Sequence, residues 1–242
     1  MMRSQTMSKK YPTDEQAKRA IVEFGKRMYA RGYVVTNDGN VTVKVGENTI
    51  WCTPTGVSKG YMNEDMMVKM DLDGTVLEGT RKPSSEIKMH LRVYRENPEV
   101  MSVVHAHPIA ATTFAIAGIP LDSPILVEAM LQIGLVPVAK YALPGTNEVP
   151  DSIAPFCKDY NAVLLSNHGA LTWGTTLEQA FNRMEVLENY AKIYLNTLLL
   201  DKARPLSARQ VEELKKLRVA YGFGDAVLPK GAEQETNTTD IV

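Results

Sequence analysis

Hydrophobic residues along this chain repeat with two different periods in alternating blocks, and that interleaving most constrains its fold. Asn40-Val-Thr-Val-Lys-Val45 alternates every second residue, whereas Ala17, Ile21, Phe24 and Met28 recur at helical spacing. Thr13 with Gln16 forms a capping box ahead of that helix, and Arg31-Gly32 ends it. A Gly46-Glu-Asn turn joins the alternating run to Thr49-Ile-Trp-Cys-Thr53, which reads as a hairpin. Met67-Val-Lys-Met-Asp71 and Thr75-Val-Leu-Glu78, linked through Asp73-Gly74, read as a second one.

From Ser84 the period changes. Ile87, Leu91 and Tyr94 mark a helix that stops near Asn97-Pro98, followed by a short apolar strand over 101–105 and a small-residue helix over 108–117. Further strands are predicted at 135–139 and 162–166 with a helix near 147–159 between them, then helices over 176–200 and 207–220. Strands and helices interleave without strict βαβ alternation. The expectation is one α/β domain around a mostly antiparallel or mixed sheet, with flexible tails over 1–12 and 230–242.

Composition narrows the function. A formal net charge of -1 offers no electrostatic basis for nucleic acid or an anionic membrane as partner. No run approaches the ~18 consecutive apolar residues needed to span a bilayer. The basic residues at the start have no apolar core behind them, so they do not read as a secretory signal. Cys52 and Cys157 form no CxxC pair, which fits a reducing, cytoplasmic compartment.

Two of the four histidines stand in Val104-His105-Ala106-His107-Pro108, at the end of an apolar strand. Residues i and i+2 of a strand project from one face, so both rings can reach one ion. His168, in Ser166-Asn167-His168-Gly169, also follows an apolar strand. Three neutral imidazoles would leave a divalent ion its charge and an open position, the pattern of a catalytic rather than a structural site. A histidine after a strand is more commonly a satisfied polar residue, and spacing alone leaves both readings open.

Pro83-Ser84-Ser85-Glu86 opens the helix before the HxH strand, with Ser84 as the expected N-cap. Helix N-termini attract anions, and Asn40, Thr55 and Gly56 place further neutral donors at strand ends. Together these residues could enclose a phosphate without a lysine, although each alone is commonly a cap or a turn. Glu86 is the carboxylate nearest the histidines in sequence order. It is either a helix-dipole complement or a base that removes a proton α to a carbonyl. His90, one turn on along the same helix face, is read as structural or as a support behind the metal ligands, with a ligand role as the lesser alternative.

The ordered set Gly39-Asn40-Val-Thr-Val43, Thr53-Pro-Thr-Gly56, Pro83-Ser-Ser-Glu86, His105-Ala-His107 and Asn167-His168-Gly169 resembles the class II aldolase/adducin family. It is most similar to the branch that cleaves L-fuculose 1-phosphate. The resemblance implies a single three-layer catalytic domain over 13–224. It implies His105, His107 and His168 as ligands of one Zn2+ per subunit, with Mn2+ or another divalent metal as alternatives. Glu86 would be acid/base and also sit on the metal when no substrate is bound. Asn40, Thr55, Gly56, Ser84 and Ser85 would hold the substrate phosphate.

The implied reaction cleaves a ketose 1-phosphate, or a related deoxyketose or pentulose 1-phosphate, to dihydroxyacetone phosphate and a short aldehyde through a zinc-stabilised enediolate. The resemblance also implies a homotetramer with sites at subunit interfaces, completed by a tyrosine near the C-terminus. Val219-Ala-Tyr221-Gly-Phe223 resembles that segment, which makes Tyr221 the candidate. A second tyrosine of the aldehyde end would align near Leu126, where none stands, and Glu128 is the candidate contact there. Within the same family, a sugar-phosphate 4-epimerase and a decarboxylase of phosphorylated keto-acids are the alternatives. The epimerase branch usually carries Asp at the place of Glu86. A non-enzymatic adducin-like assembly domain is the third alternative, and such domains lack the full set of metal ligands.

Overall fold

The computed structural model describes residues 11–233. Its elements run α1 (Asp14–Ala30), β1 (Asn40–Gly46), β2 (Thr49–Cys52), β3 (Val68–Asp71), β4 (Val76–Glu78), α2 (Ile87–Glu96), β5 (Ser102–Ala106), α3 (Ile109–Ala117), α4 (Val127–Gln132), β6 (Val138–Ala139), α5 (Glu148–Ile153), β7 (Ala162–Leu165), β8 (Gly169–Gly174), α6 (Leu177–Leu199) and α7 (Ala208–Ala220). The strands form one sheet in the order β4-β3-β2-β1-β5-β8-β7-β6. Every pairing is antiparallel except β6 with β7, so the sheet is mixed and mostly antiparallel, as expected.

Strand alternation divides the interior into two cores. Val41 and Val43 of β1, Val104 and Ala106 of β5, and Ala162 and Leu164 of β7 pack with α1, α3, α4 and α6. The alternate residues on β5 and β7, Val103, Val163 and Leu165, face the other way and pack with α2 and α5. Two helical layers therefore enclose one sheet, because the central strands β5 and β7 carry apolar residues on both faces. The Thr13 capping box is present, with Gln16 N–H donating to the Thr13 hydroxyl and Thr13 N–H to the Gln16 side chain.

Several expectations need correction. β8 is a central strand, paired to β5 and β7, yet its sequence Gly-Ala-Leu-Thr-Trp-Gly carries glycine at both ends, a residue depleted in strands. The strand expected over 135–139 shrinks to Val138–Ala139, because the Pro137 ring has no N–H to donate. The helix expected from Ser84 begins at Ile87, with Glu86 at the N-cap and no side-chain cap bond. Of the predicted tails, 1–10 and 234–242 lie outside the described residues. Up to Ala232 the chain is held at the start of α7: Ala232 N–H donates to the Leu206 carbonyl, and Ala208 N–H donates to the Ala232 carbonyl.

Leu171 sits on β8 opposite His105 on one side and Val163 on the other, and is fully buried. Leu171→Ala should cost about 2–5 kcal/mol through the lost transfer energy and the cavity left. Urea unfolding of the two proteins checks this.

Candidate active site

β1 and β5 pair so that Asn40 lies opposite His105. Asn40 is the first residue of its strand, and the chain enters it through Gly39 at φ +72°. A Cβ on Gly39 would stand 2.8 Å from the His105 carbonyl oxygen and 2.6 Å from Val34, so the entry requires glycine on both counts. His107 follows the end of β5, where its N–H donates to the Tyr33 carbonyl. The next helix, α3, is capped from α6: the buried Glu188 carboxylate accepts from Ala110 and Ala111 N–H. His168 lies in the three-residue turn between β7 and β8, whose Asn167 adopts a left-handed φ of +57° that asparagine tolerates.

These elements bring the three rings together. One ligand atom from each of His105, His107 and His168 lies within 4.8 Å of the other two. Nitrogens around a tetrahedral zinc sit about 3.3 Å apart, and the Nε2 atoms of His105 and His107 are 3.0 Å apart. His105 Nδ1 is 2.9 Å from the Ala170 carbonyl oxygen. A carbonyl only accepts, so Nδ1 carries the proton and Nε2 presents its lone pair to the other rings. Burial drives the His105 pKa well below the ordinary histidine value, and burial followed by His168 lowers that of His107. Converging imidazoles, with His105 and His107 favoured in the neutral form by burial, are the donor set that a divalent metal ion requires.

Glu86 reaches the same point. Its Oε1 is 2.9 Å from His168 Nε2, and its Oε2 is 3.4 Å from His105 Nε2 and accepts from the Asn40 amide at 2.9 Å. Burial alone would raise its pKa, but the surrounding imidazoles and the hydrogen bond with His168 bring it below the ordinary carboxylate range. Ser84 does not cap α2; its hydroxyl accepts from the Asn40 amide at 3.1 Å and from Glu86 N–H at 3.3 Å. Asn40 thus orders both residues, and its buried Oδ1 has no hydrogen-bond partner among the described residues.

Thr55 N–H donates to the Lys82 carbonyl, and Pro54 bridges to Pro83, which sets the loop after β2 against the Ser84-Ser85 segment. A cavity of about 210 Å³ results, lined by Thr55, Gly56, Ser84, Ser85, Glu86, His107 and His168. Asp38 and Lys59 also line it, and sequence reasoning missed both. Asp38 Oδ2 is 3.7 Å from His107 Nδ1, and its position two residues before Asn40 was the available signal.

Tyr221 and Glu128 are not brought to this cavity within one chain. Glu128 is exposed in the first turn of α4. Tyr221 ends α7, 63% exposed, and lies by Gln132, Arg183 and Phe223 in a separate cleft. His90 is fully buried against the Thr42 hydroxyl, which also meets the Tyr94 hydroxyl, and burial lowers its pKa to about 3. It is structural, as expected.

The model of the class II aldolase and adducin N-terminal domain matches residues 19–195. The chain is 32% identical over 207 residues to a 3-oxo-tetronate 4-phosphate decarboxylase of Pectobacterium atrosepticum, covering 84% of this chain and 94% of that protein. It is also 32% identical over 185 residues to an L-fuculose phosphate aldolase of Methanocaldococcus jannaschii, covering 76% of this chain and 99% of the relative. A solved L-fuculose 1-phosphate aldolase matches with a TM-score of 0.79 at 31% identity, over 86% of this chain and 97% of that one.

A Cβ at Gly169 would stand 2.5 Å from the His107 ring and 2.6 Å from the Ala106 carbonyl. Gly169→Ala should therefore displace His107 and lower bound metal, as His168→Ala should by removing a donor. Elemental analysis of purified protein checks both, and full metal content in His168→Ala would remove that ring from the cluster.

Proposed function

Since the chain belongs to the class II aldolase and adducin family, we propose that it is a zinc-dependent lyase that interconverts a ketose 1-phosphate with dihydroxyacetone phosphate and a short aldehyde. The observation that carries this reading is the Glu86 carboxylate. It is kept ionised 2.9 Å from His168 and 3.4 Å from His105, on the wall of a donor-lined cavity.

His105, His107 and His168 would hold a divalent ion, which would supply positive charge beside a substrate oxygen. The substrate phosphate takes the neutral donors of Thr55, Gly56, Ser84 and Ser85, with Asn40 holding Ser84 in place. In the direction of bond formation, Glu86 removes a proton from the carbon next to the dihydroxyacetone phosphate carbonyl. The electron pair released at that carbon forms the new bond to the aldehyde carbon, and the aldehyde oxygen takes a proton. Cleavage is the reverse, with the protonated Glu86 returning its proton to carbon. Anchoring the phosphate holds the reacting carbon beside the carboxylate.

Tyr221 is the proposed donor to the aldehyde oxygen. Being exposed and away from its own cavity, it would act in a neighbouring copy of a homotetramer. Glu128, exposed on α4, is the proposed contact for the aldehyde's hydroxyls from the same interface. The three histidines and Glu86 together favour an enzyme over an assembly domain. Two buried thiols, with Cys52 pushed up to about 12 by burial, suit a cytoplasmic setting.

The similarity to a 3-oxo-tetronate 4-phosphate decarboxylase gives a second reading, loss of carbon dioxide from a phosphorylated keto-acid. Both reactions break a carbon–carbon bond and leave negative charge beside a carbonyl. Incubating the metal-loaded protein with dihydroxyacetone phosphate and a panel of aldehydes, and separately with a phosphorylated 3-keto-acid, decides between them. A ketose phosphate product supports the aldolase; carbon dioxide release without any condensation product would overturn it. Glu86→Gln should retain metal and slow exchange of the dihydroxyacetone phosphate α-proton by about 10²-fold or more. Isotope exchange followed by NMR reads this, and wild-type exchange in the variant would remove Glu86 from the role of base.

A further inference from the structure

Lys59 opens a short 3-10 turn, Lys59–Tyr61, and its side chain runs inward until the residue is only 1% exposed. Its Nζ donates to the Asn37 and Val57 carbonyls, each at 2.8 Å. Those carbonyls belong to the two loops that build the anion cavity, one leading to Asn40 and one following Thr55-Gly56. An ammonium has three N–H groups and no acceptor, so these bonds leave one N–H to account for.

Among the described residues, Lys69 and Lys192 pair with carboxylates within 4.0 Å, but Lys59 does not. A buried cation without a counter-ion is costly. Burial lowers the Lys59 pKa to about 8, against the pull of Asp38 and Glu86, which leaves the ammonium mostly protonated at neutral pH. The side chain lines the cavity together with Thr55, Gly56, Ser84 and Ser85, whose donors are all neutral. Among the described residues lining the cavity, Lys59 is therefore the one cationic side chain, hydrogen-bonded to two carbonyls and with no carboxylate within 4.0 Å.

We propose that the Lys59 ammonium is the charged contact of the phosphate site, held by the two loop carbonyls so that its third N–H meets the bound phosphoryl group. The inference rests on the reading of this cavity as the phosphate site. It assigns Lys59 two linked tasks, joining the loops and supplying the charge that makes a dianion preferable to a neutral group there. A charge-assisted hydrogen bond of this kind is stronger than those from the surrounding hydroxyls and amides.

The probe is inorganic phosphate, titrated into metal-loaded wild-type protein and Lys59→Met by calorimetry, with bound metal measured in both. Methionine preserves length and removes the charge. Phosphate affinity should fall about tenfold or more in the variant while metal content stays constant. Equal affinity in a folded Lys59→Met would overturn the proposal.

A crystal structure of the wild-type protein grown with phosphate provides a test that does not depend on the variant folding. A phosphate oxygen within about 3.2 Å of Nζ supports the assignment. Phosphate bound at Ser84 and Thr55 but away from Lys59 would overturn it and leave the phosphate-site reading standing. A cavity without phosphate at saturating concentration would overturn both.

Discussion

The antiparallel pairing of β1 with β5 is the constraint on which the site depends. It sets Asn40 opposite His105, and the Asn40 amide then reaches Ser84 and Glu86 on a segment more than forty residues further along. A shift of one residue would turn Asn40 and His105 to opposite faces and send Val41 toward α2. That slip is opposed by burial on both faces, where the two cores require Val41, Val43, Val104 and Ala106 on one side and Val103 on the other. The register that satisfies the hydrophobic cores is thus the one that assembles the chemistry.

Around that pairing, each polar group of the site is held by a neighbour with a defined donor or acceptor role. The Ala170 carbonyl fixes which His105 nitrogen carries the proton, and β8 supplies that carbonyl. Glu188 holds the start of α3 from across the core, which steadies the chain just after His107. Lys59 joins the loops on either side of the cavity. Held in this way, the imidazoles and the carboxylate are fixed in place by the fold before any ligand arrives.

The same core also carries the C-terminal segment away from the cavity. Two buried arginines, Arg183 and Arg218, hold it by donating to backbone carbonyls, both reaching Phe223 and Arg218 also reaching Gly224. Tyr221 is presented at the surface at the end of α7, in keeping with a role toward another copy. Family similarity extends to both an aldolase and a decarboxylase, so the shared part is the cleavage of a carbon–carbon bond beside a carbonyl.

Sequence by itself determined the alternating elements, the mostly antiparallel or mixed sheet, and the pairing of His105 with His107, because side-chain periodicity is local. It also carried the five motifs that mark the family. β8 was not legible, since glycines at both its ends hide a strand that exists by pairing with β5 and β7. Ser84 read as a helix cap because hydroxyls at helix starts usually are, whereas its hydroxyl accepts from the Asn40 amide as well as from Glu86 N–H, and the Asn40 contact is set by the sheet. Asp38 and Lys59 looked like ordinary charges. Only the tertiary structure decided that Lys59 is buried at the cavity with no carboxylate within 4.0 Å among the described residues, because burial and charge compensation depend on residues distant in sequence.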